Sequence, residues 1–196
     1  MSPGSALFVI DIQNDLARDP NTQIPHAARV VAAGEQIVSA ARAAIKSQHL
    51  WTEDSLSSIL FVQHEEKPEE GPLVRGTAPW ELVFQPQAGA DNEMLVHKTT
   101  RSTFESNPGL EAQLKDHGVT HIIAFGIQSD CCVLETCKAA LDLGFRVTVL
   151  HGAHSTYNSG GRTAVEIEKD VEEELAGKGA IVVSWQDTVR AWEQRR

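Results

Sequence analysis

The sequence predicts an α/β fold, a three-layer α/β/α sandwich around a mostly parallel sheet of about six strands. Three observations carry that expectation. Short continuous apolar runs recur along the chain, the pattern of strands buried on both faces. Between them lie stretches whose apolar residues repeat at helical spacing. Glycines close those stretches at Gly118, Gly144 and Gly177, where a helix C-terminus favours the left-handed conformation. Strands alternating with helices give a parallel sheet covered on both sides.

The elements follow in order. Ala6–Ile10 is the first apolar run and ends at Asp11. Val30, Val31, Ile37, Val38, Ala41 and Ile45 place a helix over residues 27–44. Strands are expected at Ser58–Val62 and at Met94–His97, the latter ending at Lys98. The second half repeats the rhythm: a helix over 108–116, strand His121–Phe125 ending in Gly126, a helix over 130–143, and strand Arg146–Leu150. A helix over 162–175, strand Ala180–Val183 and a short helix near 188–192 complete it. The connection from Glu65 to Gln87 is long enough for a lid or binding loop, with disorder as the alternative. No repeat, low-complexity tract or linker interrupts the pattern, so one domain over residues 1–196 is expected.

Seventeen Lys and Arg against 27 Asp and Glu give a formal charge of −10. The basic residues are scattered, with Arg195-Arg196 the one close pair, so no nucleic-acid or anionic-membrane partner is expected. The 41% hydrophobic and 22% charged shares are those of a globular chain. No apolar run approaches the roughly 20 residues of a membrane helix. The opening Met-Ser-Pro-Gly-Ser-Ala lacks the basic flank of a signal peptide. Cys131, Cys132 and Cys137 are too few and too local for a disulfide framework, which points to a reducing, cytoplasmic compartment.

Open parallel sheets bind ligands beyond the C-terminal ends of their strands. Those ends carry Asp11, His64, Lys98 and the run Gly126-Ile127-Gln128-Ser129-Asp130-Cys131-Cys132. A thiol nucleophile, a carboxylate to take its proton and a cation to favour the thiolate suffice for covalent acyl transfer. With a helix beginning near Asp130, Cys132 falls in its first turn, where free N–H groups favour a thiolate and a developing oxyanion. Each residue alone has a plainer reading. Asp11 suits a turn, Lys98 a solvated surface, and Cys131, Cys132 or Cys137 the core. Joint placement on one edge favours chemistry for Asp11, Lys98 and Cys132; Cys137 is read as core. His64 suits either substrate contact or a structural hydrogen bond, and Trp80 and Phe84 either cover a pocket or pack beneath the loop. Gly160-Gly161 lacks the rest of a phosphate-binding motif.

These motifs resemble the isochorismatase-like cysteine hydrolase superfamily, which includes nicotinamidase and N-carbamoylsarcosine amidase. The likeness runs from Ala6 to about Trp185 and rests on Val9-Ile10-Asp11-Ile12-Gln13-Asn14-Asp15, on Lys98 in His97-Lys98-Thr99-Thr100-Arg101-Ser102-Thr103-Phe104, and on Gly126 to Val133 followed by Thr136 and Ala139-Ala140. It implies Asp11 as general base, Lys98 as cation and Cys132 as nucleophile, since the family pattern reads Thr/Ser-Asp-any-Cys-Val. Cys131 is then the variable position. The resemblance also implies a cis peptide before Gln128 and an oxyanion hole from the N–H groups of Gln128 and Cys132. Gln13 and Phe104 match pocket positions and join His64, Trp80 and Cys131 as the expected substrate-binding set.

Two departures narrow the reading. The Asp-x-His cluster of metal-binding nicotinamidases is missing where the chain reads His49-Leu50-Trp51-Thr52-Glu53-Asp54. The pairs His151/His154 and His117/His121 are poor substitutes, so neither metal nor other cofactor is expected. Gly152 precedes Ala153 where many relatives carry Asp. The expected activity is cysteine-dependent hydrolysis of a C–N bond in a small amide, imide or ureide through a thioester. Isochorismatase activity, a vinyl-ether hydrolysis that needs the acid but no thiol, is the alternative, and a non-catalytic binding protein the third reading. The expected partners are a small-molecule substrate and further copies of the chain, as a dimer or tetramer, with Trp185 and Trp192 as candidates for either contact or core.

Overall fold

The computed structural model describes residues 4–47 and 55–194. In chain order these form β1 (Gly4–Ile10), α1 (Asn14–Ala17), α2 (Ala27–Ser47), β2 (Leu56–His64), β3 (Glu93–Lys98), α3 (Thr103–Ser106), α4 (Leu110–Asp116) and β4 (Val119–Gly126). A π-helical turn at Ser129–Val133 then runs into α5 (Leu134–Asp142), followed by β5 (Arg146–His151), α6 (Ala164–Gly177), β6 (Ile181–Ser184) and α7 (Trp185–Gln194). The strands lie in the order β3-β2-β1-β4-β5-β6, and every neighbouring pair is parallel.

Alternation along β1 shows why this sequence makes three layers. Ala6, Phe8 and Ile10 join one core with Phe104, Leu114, Cys137, Ala140, Val171 and Leu175 from α3 to α6. Leu7 and Val9 point to the other face and join Ile37, Val38, Ala41 and Trp192 from α2 and α7. All seven residues of β1 are buried, as a central parallel strand requires. Trp185 also packs against the α2–α7 core, so both C-terminal tryptophans serve the chain's own interior.

Several boundaries differ from the sequence expectation for local reasons. α6 begins at Ala164, because Thr163 caps it and forms a reciprocal capping box with Glu166. α7 starts at Trp185, directly after β6, and is longer than the short helix expected. α1 and α3 span four residues each, too few to show a helical period. The 65–92 connection is anchored: Asn14 and Asp15 donate to the carbonyls of Glu81 and Pro79, and Val83 donates to Ile12. Phe84 is seated on α2 at Gly34, where a Cβ would come within 2.5 Å of its ring.

The sheet turns its connections in opposite senses on either side of the β1–β4 pair, which opens a crevice at their C-terminal ends. Gly126 makes the pair possible there. Its φ is +139° and a Cβ would stand 2.0 Å from the carbonyl oxygen of Ile10, so only glycine lets the two backbones meet. Among the described residues no helix is long and apolar enough to cross a membrane.

Candidate active site

Asp11 is the first residue beyond β1 and has φ +47°, a left-handed conformation that Asp tolerates better than most residues. Its N–H still donates to Val62 (3.0 Å), while its carbonyl accepts from Gln13 (3.0 Å), so the chain turns as soon as the ladder ends. The side chain is completely buried, and Oδ1 has no hydrogen-bond partner.

Lys98 ends β3, two strands away, about 10 Å at the usual strand spacing. Its extended stem crosses the end of β2 to bring Nζ within 2.7 Å of Asp11 Oδ2. The same Nζ lies 3.2 Å from Cys132 Sγ, 3.2 Å from His64 Nδ1 and 3.0 Å from the Thr100 carbonyl. An ammonium has three protons and no acceptor, so His64 Nδ1 can only accept here. Burial pushes the Lys98 pKa down, but Asp11 and Cys132 more than reverse this and hold it above the ordinary value. His64 is held below its ordinary value by burial and by the Lys98 charge.

Cys132 arrives from β4 on a turn the sequence reading took for regular helix. The Ile127–Gln128 peptide is cis. The Gln128 carbonyl accepts the N–H of Cys131 (3.3 Å) and of Val133 (3.1 Å), on either side of Cys132. A π turn of this kind re-aims one side chain and is frequent at functional sites. Cys132 is 8% exposed and Cys131 half-buried, with the two sulfurs 3.9 Å apart.

The sequence places a carboxylate, a cation and a helix terminus beside this thiol, with the cation and the terminus favouring a thiolate. The structure adds the Cys131 contact and burial, which together with the Asp11 carboxylate outweigh Lys98 and hold Cys132 well above the ordinary thiol value. Cys131 is pushed down to about 7 by the S–H it receives from Cys132, against its own burial and with help from Arg101 and Lys98. Sulfurs this close titrate as a pair. A carboxyl group, a thiol and an imidazole nitrogen thus meet at one buried amine nitrogen.

The other expected site residues lie as follows. Gln13 is buried, and its amide spans the loop: Nε2 donates to the carbonyls of His64 (2.9 Å) and Trp80 (2.7 Å), and Oε1 accepts from the His64 N–H (3.0 Å). The Trp80 ring stacks on His97 at 5.8 Å, on the face of β3 opposite Lys98 by strand alternation. Phe104 is stacked between Phe8 (6.0 Å) and Phe145 (5.9 Å) inside the core. Asp11, His64, Lys98, Cys131 and Cys132 thus converge, Gln13 supports them from behind, Trp80 lies against His97 and Phe104 sits in an aromatic stack. The Thr100 carbonyl on Lys98 was not anticipated, because a backbone acceptor leaves no signal in residue type.

Among the described residues no group of three or more His, Cys, Asp or Glu is placed to hold a metal ion. The segment His49–Asp54 lies outside the described residues. The pair His151/His154 meets on the carboxylate of Glu172.

Comparison with known proteins agrees with this architecture. The chain is 32% identical over 155 residues to a streptothricin hydrolase of Streptomyces noursei, a match covering 78% of this chain and 50% of that protein. It thus spans about half the length of that relative. A probable inactive nicotinamidase of Arabidopsis thaliana is 29% identical over 158 residues, covering 76% of this chain and 79% of the other. The crystal structure of a nicotinamidase from Bacillus subtilis superposes with a TM-score of 0.73 at 25% identity, covering 92% of this chain and 99% of that one. The model of the isochorismatase domain matches residues 5–187, and with the sheet order and strand-end residues described above, the chain belongs to the isochorismatase-like hydrolase family.

Proposed function

We propose that this protein is a cysteine-dependent amidohydrolase that cleaves the C–N bond of a small amide, imide or ureide through a thioester on Cys132. One observation carries the reading. Lys98 Nζ gathers Asp11 Oδ2 at 2.7 Å and Cys132 Sγ at 3.2 Å, while Asp11 Oδ1 is buried and unpartnered. A carboxylate with a vacant oxygen beside a protonated thiol is a general base before its proton transfer. The streptothricin hydrolase and nicotinamidase likenesses support hydrolysis, and the latter supports an amide.

In this mechanism Asp11 takes the S–H proton as Sγ attacks the substrate carbonyl carbon. The C=O electron pair moves to oxygen, and the N–H groups of Gln128 and Cys132 stabilise the oxyanion. Collapse expels the nitrogen, which receives the proton from Asp11 and leaves as ammonia or an amine. Asp11 then deprotonates a water that attacks the thioester, and the thiol regains its proton as the carboxylic acid departs. Lys98 remains charged throughout and balances both the Asp11 carboxylate and the transient thiolate. The near-complete burial of Asp11, Lys98 and Cys132 suits a small substrate. Three free cysteines fit a reducing compartment such as the cytoplasm.

The test is a screen of small amides, imides and ureides for release of ammonia or amine, with mass spectrometry of the acid-quenched enzyme. An acyl adduct on the peptide carrying Cys132, absent from Cys132→Ala, is expected. Turnover of an amide by Cys132→Ala at the parent's rate would overturn the mechanism.

A further inference from the structure

A second polar cluster lies beneath the nucleophile turn, and the reaction above does not use it. Ser129, the first residue of the π turn, is fully buried, and its Oγ is 2.8 Å from Nδ1 of the equally buried His154. The other ring nitrogen of His154, Nε2, is 3.0 Å from Oε1 of Glu172 on α6. His151, at the end of β5, brings its Nδ1 to the same oxygen at 2.8 Å. Burial pushes Glu172 up, but the hydrogen bonds from the two histidines outweigh it and hold the carboxyl below its ordinary value.

Chemistry fixes the direction of this chain at its carboxylate end. An ionised carboxylate only accepts, so Nε2 of His154 carries a hydrogen, and in the neutral ring Nδ1 is the acceptor. The Ser129 hydroxyl donates to a neutral His154 ring and accepts from a charged one, and in either form His154 donates to Glu172. The trio has the composition of a serine-hydrolase triad, but Ser129 has no exposed surface and cannot meet a substrate carbonyl.

Its place in the fold suggests another role. The segment after β5 is tied to the π turn at several points. The Ser129 N–H donates to Ser155 (3.0 Å), and Thr156 Oγ1 donates to Asp130 Oδ1 (2.5 Å). Ser155 Oγ donates to Glu168 (2.5 Å), one helical turn before Glu172, and Glu168 pairs with Arg29 of α2 (2.6 Å). Two carboxylates of α6 thus brace the segment that braces the turn carrying Cys132. Of these braces, the His154 ring is the one whose side chain reaches a side chain at the turn's first residue from a charged anchor.

We infer that His154 and Glu172 are positioning residues: acting through the Ser129 hydroxyl, they set the π turn so that Cys132 Sγ rests on Lys98 Nζ. The inference rests on Cys132 being the nucleophile. Releasing the turn lets Sγ leave the ammonium and the buried site around it, which misplaces the attacking sulfur and opens it to solvent reagents.

The experiment compares the parent with Ser129→Ala, Glu172→Gln and the double variant, with Glu173→Gln on the exposed side of α6 as control. The rate of Cys132 alkylation by iodoacetamide at pH 8 is followed by peptide mass spectrometry. kcat and KM are measured on the best amide from the screen, and melting curves establish that each variant is folded. Each single variant is expected to speed Cys132 alkylation at least threefold, because the sulfur leaves a buried site, and to lower kcat at least tenfold, with KM within threefold of the parent. The double variant is expected to be no worse than the weaker single, because both cuts fall in one chain. Glu172→Gln keeps the side chain's size and serves should Ser129→Ala fail to fold. Alkylation that is unchanged or slower in the folded variants, or losses that multiply in the double variant, would overturn the inference. Turnover that survives complete alkylation of Cys132 would instead sink the thiol mechanism, whereas positioning is read from the alkylation rates themselves.

Discussion

Nζ of Lys98 lies 2.7 Å from Oδ2 of Asp11, and both side chains are almost completely buried. A buried pair of this kind contributes little net stability, because desolvating two charges offsets their attraction, yet losing one partner strands the other. The pair is therefore best understood as part of the site: it holds one oxygen of Asp11 on Lys98 and leaves the other vacant in the interior.

Lys98→Met tests both halves of that statement. It should abolish amide turnover and destabilise the protein by about 3–5 kcal/mol, the usual cost of leaving a buried charge unpaired. The sign with pH follows from the raised Lys98 pKa. The stabilisation that Lys98 adds is fully present below its ordinary value of 10.5 and is lost as pH rises through the higher folded value. Urea unfolding of parent and variant should thus differ most at neutral pH and converge under strongly alkaline conditions. A difference that grew with alkalinity would contradict the pairing.

The adjacent thiols can be told apart by function. Cys131 is half-buried, is drawn down to about 7 and sits at the variable position of the motif. It should react first with a thiol reagent in the absence of substrate. Cys131→Ala should nevertheless keep at least about a tenth of the activity, because Lys98 and Asp11 both remain to serve Cys132, whereas Cys132→Ala removes the covalent route. An acyl adduct that maps to Cys131 during turnover would place the nucleophile one residue early.

Gly126 is the structural counterpart of these chemical groups. A Cβ there would meet the Ile10 carbonyl at 2.0 Å, in a backbone conformation with φ +139°. Gly126→Ala should push β4 from β1 at the crevice, lower stability by several kcal/mol and displace the turn that carries Cys132. Gly160→Ala, where a Cβ would meet nothing within 4 Å although φ is +60°, should lose only about 1–2 kcal/mol, the cost of a left-handed conformation alone. Equal melting temperatures for the two variants would refute the close-approach argument.

Much of this was legible in residue order. Asp11 and Lys98 terminate apolar runs, and the rule that ligands gather at strand ends placed them on one edge before any pairing was known. That Lys98 must cross an intervening strand to reach Asp11 was not legible, since strand order is a tertiary property. Trp80 and Phe104 show the limit of residue type: an aromatic side chain reports that something is to be covered, and only the structure shows His97 beneath one ring and Phe8 and Phe145 around the other. The π turn was read as helix because its apolar spacing differs from α by a single residue. His154 was weighed as half of a metal pair with His151, and its bond to Ser129 depends on α6 delivering Glu172 from 18 residues further along the chain.

The choice between amide and vinyl-ether hydrolysis turns on the sulfur. Both reactions need Asp11, as a base toward Cys132 in the first and as a proton donor to the substrate in the second. Asp11→Asn keeps the shape and removes the titratable group, so either activity should fall by a factor on the order of 10² or more. Cys132→Ala separates them. Without a thiol no thioester can form, so amide hydrolysis loses its covalent route, whereas protonation of a vinyl ether needs only the acid and should persist. The geometry favours the first, because Lys98 contacts Sγ at 3.2 Å as well as the carboxylate, an arrangement that vinyl-ether hydrolysis would leave idle. Steady-state rates on isochorismate and on the best amide, for parent and both variants, decide the matter. Rapid turnover of isochorismate that is equally fast in Cys132→Ala, with no amide turned over by the parent, would assign the site to vinyl-ether hydrolysis.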